Sequence, residues 1–188
     1  VLATFRMLRQ QSKKGEAQPN LCLSDFIAPK ETGIADYFGL FSSTAGLDID
    51  APVHAFEKAG DDYSAILMKA LADRLAESFA EHLHQRVRKE FWGYVPDENL
   101  NNDELIHQKY KGIRPAPGYP ACPDHSEKPL VFRILESEKN AGMSLTENFA
   151  MLPASSVSGY YFAHPESAYF AVGKIEKDQA EDYARRKD

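Results

Sequence analysis

The chain has 188 residues, of which 43% are hydrophobic and 27% charged, an ordinary globular composition long enough for one sizeable core. A net charge of −6 argues against nucleic acid or an anionic membrane surface as partner, since both are met with a basic footprint. No apolar run approaches the ~20 residues of a membrane span. Two cysteines, Cys22 and Cys122, are too few for a disulfide scaffold, so a reducing, cytoplasmic setting is expected.

The chain opens without Met or a signal-type apolar region, directly into apolar pattern, and closes inside a helical one. Both ends are those expected of a piece of a longer protein. Val1 to Leu8 begins in alternation and is predicted as a strand. Lys13 to Asn20 (KKGEAQPN) is a polar loop. Leu21 to Pro29 (LCLSDFIAP) is a short buried segment, and Asp36 to Ser43 a second strand. A long amphipathic helix starts near Asp61 or Asp62, with Leu67, Leu71, Leu75, Phe79, Leu83, Val87 and Phe91 spaced i, i+4 and Gly93 as its stop. A shorter helix covers Asn101 to Tyr110.

Arg114 to His125 (RPAPGYPACPDH) follows, too rich in proline for helix or ordinary strand. Ser126 to Asn140 is predicted as helix, capped by Asp124 or Ser126, with Pro129 in its first turn. SVSGYYFAH and SAYFAVGKI read as a β-hairpin turning at His164 to Ser167, and DQAEDYARR opens a last helix. The pattern describes one α+β domain over residues 1–188, with an antiparallel sheet covered on one face by the long helix.

Motifs for nucleotide phosphates, dinucleotides and nucleophile elbows are all absent. Cys122 and His125 have the spacing of half a zinc site, but no second half accompanies them, and a packed cysteine in a loop is the preferred reading; no metal site is expected. In the proline loop, Arg114 presents a planar fork suited to carboxylate or phosphate, and Tyr119 an aromatic face. Gly118 permits a sharp turn or close approach, and backbone groups outside helix and sheet are free for a ligand. A rigid structural loop whose arginine pairs with a protein carboxylate explains the same residues equally well. Asp73 and Glu77 lie one turn apart beside Ala76 and Ala80; composition alone reads them as a solvated face with Arg74 as partner.

GIRPAPGYPACPDHSEK closely resembles the signature of the activation domain of cobalamin-dependent methionine synthase. LRQQ, LSDFIAPK, the long-helix segment from Asp61 to Tyr94, SVSGYYFAHPES and DQAEDYARRK resemble the family's segments in the family's order, over nearly the whole chain. The resemblance implies a C-shaped domain with a bent antiparallel sheet that binds S-adenosylmethionine. It supports reductive remethylation of cob(II)alamin, with one electron from flavodoxin or a related flavoprotein reductase. Arg114 would grip the methionine carboxylate, Ala116 and Gly118 would add backbone contacts, and Glu77, Tyr119, Tyr169 and Phe170 would line the pocket. Phe170 stands where a second tyrosine can occur, without its hydroxyl. Asp73 would meet the cobalamin module. Cobalamin itself belongs to another domain of the parent enzyme, since the D-x-H-x-x-G pattern is missing here, and no catalytic residue is expected in this chain. A free-standing methyltransferase, or a docking domain meeting a flavoprotein through Arg86, Arg88 and Lys89, are the alternatives.

Overall fold

The computed structural model describes residues 1–15 and 18–187; Glu16 and Ala17, in the predicted polar loop, and Asp188 lie outside the described residues. Strand β1 (Gly39–Thr44) pairs antiparallel with a late strand, Ser156–Tyr161, in the register Gly39 to Tyr161 through Thr44 to Ser156. Between them come helices α1 (Asp50–Lys58), α2 (Asp62–Arg86), α3 (Asn102–Ile106), α4 (Lys128–Leu135) and α5 (Ser137–Ala141). Two short paired strands, β2 (Ser144–Leu145) and β3 (Met151–Leu152), precede the late strand, which is therefore β4. Helix α6 (Lys177–Lys187) closes the described chain. The α+β class with a long helix over an antiparallel sheet is thus observed, with a smaller sheet than the aromatic runs suggest.

Alternation along β4 divides the core into two layers. Tyr160 and Phe162 join Leu23, Phe26, Ile113, Val131, Phe132 and Met143 on one side, against α4. Tyr161 points the other way and packs with Phe41, Ala80 and Val87 against α2. The segment around Leu23 is buried as predicted, as a 3-10 turn over Leu23–Phe26.

Five predicted elements differ, the helix predicted over 101–110 among them, since it ends at Ile106. Val1 to Leu8 forms no strand: Phe5 and Met7 pack on the core and Leu8 is buried, but the backbone finds no ladder partner among the described residues. The 36–43 strand begins at Gly39 instead. The helix predicted over 126–140 breaks at Glu136, which takes a left-handed conformation (φ 49°) between α4 and α5. Asp124 does supply its cap, accepting from the Ser126 amide at 2.8 Å.

The hairpin between the aromatic runs is absent, because the second edge of β4 is already occupied. Ile113 bridges Phe162, and the Tyr160 amide donates to the Pro115 carbonyl at 2.9 Å. The proline loop is therefore docked on the sheet, and Gly159 is what admits it: a Cβ there would stand 2.5 Å from the Pro115 oxygen. The second aromatic run lies against the loop instead, its Val172 amide donating to the Pro120 carbonyl at 2.8 Å.

The long helix carries the largest correction. Asp61 caps it through the Ser64 amide, and after Arg86 one π-type turn over Val87–Phe91 carries it towards Gly93. The leucine stripe, however, does not form its buried face. Leu67, Leu71, Leu75, Phe79 and Phe91 are exposed, while Ala65, Ala72, Ala76, Ala80 and His84 are buried. Only Leu83 and Val87 of the stripe pack against the core. Alanines let the rings of Phe41 and Tyr161 lie close to the helix backbone, which leucines in those places would prevent.

Candidate functional site

Three segments meet in a cleft of about 470 Å³. The proline loop contributes Arg114, Ala116 and Tyr119, α2 contributes Glu77, and the second aromatic run contributes Tyr169 and Phe170. Six of the residues marked in the sequence are thereby brought to one place. Gly118 does not line the cleft. It turns the loop at φ 94°, with the His125 ring packed where a side chain would stand.

Asp73 lines a neighbouring cleft together with Ser155, whose hydroxyl donates to its carboxylate at 2.6 Å, and Glu77 borders both clefts. Glu77 and Asp73 are exposed, and Arg74 is exposed beside them.

Helix α2 reaches this site because its sequence runs in three adjacent rows, each spaced i, i+4 and about 100° from the next. Leu71, Leu75 and Phe79 form the exposed row. Ala72, Ala76, Ala80 and His84 form the buried row against the sheet. Asp73, Glu77 and Glu81 form the third, on the flank facing the clefts and Arg114.

The loop is stiff for a reason beyond its prolines. Its backbone groups are largely paired: the Gly118 amide donates to the Cys122 carbonyl at 2.7 Å, the Tyr119 amide to Ala116 at 3.2 Å and the Cys122 amide to Tyr119 at 2.9 Å. The expectation that these groups stand free is therefore corrected; Ala116 and Gly118 have already committed one backbone group each. Burial pushes the Cys122 thiol up to about 12, and Nδ1 of His125 meets the Lys128 ammonium at 2.9 Å. This is the packed exit of the loop into α4.

Arg114 is held from several sides. Its backbone amide donates to the Tyr169 hydroxyl at 3.0 Å, and Nη1 donates to the Tyr110 hydroxyl at 3.1 Å. Nη2 lies 2.7 Å from a carboxylate oxygen of Glu81. Tyr110 and Tyr169 share a further hydrogen bond at 3.2 Å. Burial raises the Tyr110 phenol far above its ordinary range, so it remains a neutral donor and acceptor.

The basic cluster offered as a docking patch is not wholly at the surface. Arg88 is fully buried, paired with Glu98 through two 2.7 Å hydrogen bonds, and Arg86 is paired with Glu90. Sequence reading missed Gln108, Phe41 and Val157 in the cleft wall, and Glu81, His84 and Tyr110 around Arg114. Gln108 sits at φ 54° just after α3, a placement no local pattern announces.

A family model described as vitamin B12 dependent methionine synthase, activation domain, matches residues 1–188. A crystal structure of the MetH reactivation domain bound to AdoHcy is similar to this chain at 61% sequence identity and a TM-score of 0.93. The similarity covers 96% of this chain, which spans 55% of that one.

Proposed function

Because the chain belongs to the activation-domain family of vitamin B12-dependent methionine synthase, we propose that it binds S-adenosylmethionine in the cleft walled by Arg114, Glu77, Tyr119 and Tyr169. In this reading it holds the donor methyl for the reductive remethylation of cob(II)alamin within the pathway to methionine from homocysteine. The observation that carries the proposal is the meeting of a guanidinium, a carboxylate and two tyrosine rings in one cleft, drawn from three separate segments.

The ligand's chemistry matches these groups. S-adenosylmethionine presents a carboxylate, an ammonium and a sulfonium. The Arg114 fork suits the first, and the Glu77 carboxylate and the faces of Tyr119 and Tyr169 suit the two cations. Ala116 and Phe170 add apolar wall for the adenosine. The cleft volume of about 470 Å³ is within the roughly 300–1,000 Å³ of small-molecule sites. The AdoHcy bound in the related structure is the same skeleton without the transferable methyl.

Cobalamin, carried by another domain of the parent enzyme, would supply the nucleophilic cobalt. The residues of this chain then bind and orient the donor, which is a task of positioning and not of proton transfer. Asp73, one turn from Glu77 in the adjoining cleft, would meet the cobalamin module. The electron would come from flavodoxin or a related flavoprotein reductase, and the setting would be the cytoplasm. Among the described residues, no helix is long and apolar enough to cross a membrane.

Arg114→Ala tests the reading. Calorimetric affinity for S-adenosylhomocysteine should fall at least about tenfold, the loss of a charge-assisted bidentate contact, with the fold retained. Unchanged affinity would remove Arg114 from the site.

A further inference from the structure

The guanidinium of Arg114 is fixed by a side chain that does not line the cleft. Glu81 lies one turn beyond Glu77 on α2, and its Oε2 stands 2.7 Å from Nη2 of Arg114. On the other terminal nitrogen, Nη1 donates to the Tyr110 hydroxyl at 3.1 Å and lies 3.4 Å from Nδ1 of His84. The two side chains of the ion pair are only 20% and 27% exposed. Behind them the Arg88 guanidinium covers the Tyr110 ring at 4.4 Å, and Glu98 binds Arg88 in turn. Both members of that second pair are buried.

A partly buried ion pair of this kind is weak evidence of stability, because desolvation offsets much of its attraction. What it does supply is direction. An arginine side chain gives up much of its rotamer freedom when it is held in one place. Where the protein has already held it, a ligand does not bear that cost. The half-buried Arg114 also has a second cation, Arg88, on the far side of Tyr110, so a counter-charge is needed to keep it there. Glu81 is that counter-charge. Its Oε1 is buried without a hydrogen-bond partner among the described residues, and its Oε2 is paired with Arg114.

We infer that Glu81 is a positioning residue for ligand recognition: it pins the inner edge of the Arg114 guanidinium so that the remaining edge is aimed, preorganised, at the carboxylate of the ligand. The inference rests on the reading of Arg114 as the carboxylate-gripping residue, and it names the device that sets that residue's aim. It also explains why the third row of α2 continues past the cleft: Glu77 faces the ligand, and Glu81 faces the residue that holds it.

Two ligands separate this role from general support of the fold. S-adenosylhomocysteine carries the carboxylate; 5′-methylthioadenosine keeps the adenosine and thioether without it. Affinities for both are measured by calorimetry or competition on the full chain, for wild type, E81A, E81Q, R114A and the double variant R114A/E81A. E81A should weaken S-adenosylhomocysteine about tenfold and leave 5′-methylthioadenosine within about twofold. E81Q, which keeps an acceptor for Nη2 but not the charge, should recover only part of that loss. In the R114A background, E81A should add nothing, since its effect passes through the arginine. Three results overturn the inference: E81A silent while R114A weakens binding, E81A weakening both ligands alike, or E81A tightening S-adenosylhomocysteine, which would make Glu81 a competitor of the ligand. If R114A itself leaves S-adenosylhomocysteine affinity unchanged, the reading of Arg114 fails first and the inference with it.

Discussion

His84 shows how one side chain ties the site to the stability of the domain. It is fully buried, stacked on the Tyr161 ring at 5.1 Å and set edge-on to Tyr110 at 5.0 Å. Burial, and then the charges of Arg88 and Arg114, lower its pKa to about 2, so it is neutral in the folded protein at any ordinary pH. Nδ1 faces the Arg114 donor, which places the ring proton on Nε2. An unfolded histidine titrates near pH 6.5. Protonation below that pH therefore favours the unfolded chain, and stability is present in full above pH 6.5 and lost as pH falls beneath it. Urea unfolding at pH 7.5 and 5.5 should differ by about 1.4 kcal/mol on this account, and His84→Gln should flatten the difference. A wild-type profile with no loss between those values would contradict the buried neutral imidazole. The rigidity of the segment holding Arg114 and Tyr119 was legible in the sequence from its prolines, while Gly118 turns the loop and does not line the cleft. His84 and Glu81 were not legible, since a histidine or glutamate on a charged helix carries no local mark of what it faces. Their signal lay in spacing, His84 continuing the row of Ala72, Ala76 and Ala80 and Glu81 that of Asp73 and Glu77.

At the scale of elements, α2 was found in the right place and read on the wrong face. Hydrophobic periodicity points to leucine, yet leucine is too large where a helix must lie close to aromatic rings on a sheet. The alanine row does that work, and Ala80, fully buried in one cluster with Phe41 and Tyr161, is its most enclosed member. Ala80→Leu should destabilise the domain by roughly 1–3 kcal/mol through overpacking. Leu71→Gln, at a position 55% exposed, should change stability by less than about 0.5 kcal/mol. Chemical denaturation of the two variants decides between the faces: a large loss at Leu71 with none at Ala80 would restore the leucine stripe as the packed one. The short helix predicted over Asn101 to Tyr110 starts where expected and ends early, at Ile106. Asn101 and Glu104 form a reciprocal capping box, with both hydrogen bonds at 3.0 Å, and such a signal is local to four residues.

For the whole molecule, the α+β class and the presence of a long helix over an antiparallel sheet followed from sequence, while strand pairing did not. Two aromatic runs separated by a turn look like a hairpin, but pairing depends on which segments occupy the edges. Here β1 takes one edge of β4 and the proline loop the other, admitted by Gly159. The displaced run then falls against the loop, and that displacement brings Tyr169 and Phe170 to Arg114. The site is in this sense a product of long-range topology: residues of α2, the loop and the last aromatic run converge although no two of these segments are neighbours in sequence. The most direct measurement is a crystal structure of this chain with S-adenosylhomocysteine. The ligand carboxylate should lie about 3 Å from the Arg114 guanidinium, with the amino group towards Glu77 and the adenosine against Ala116 and Phe170. Ligand density elsewhere, with this cleft empty, would contradict the assignment.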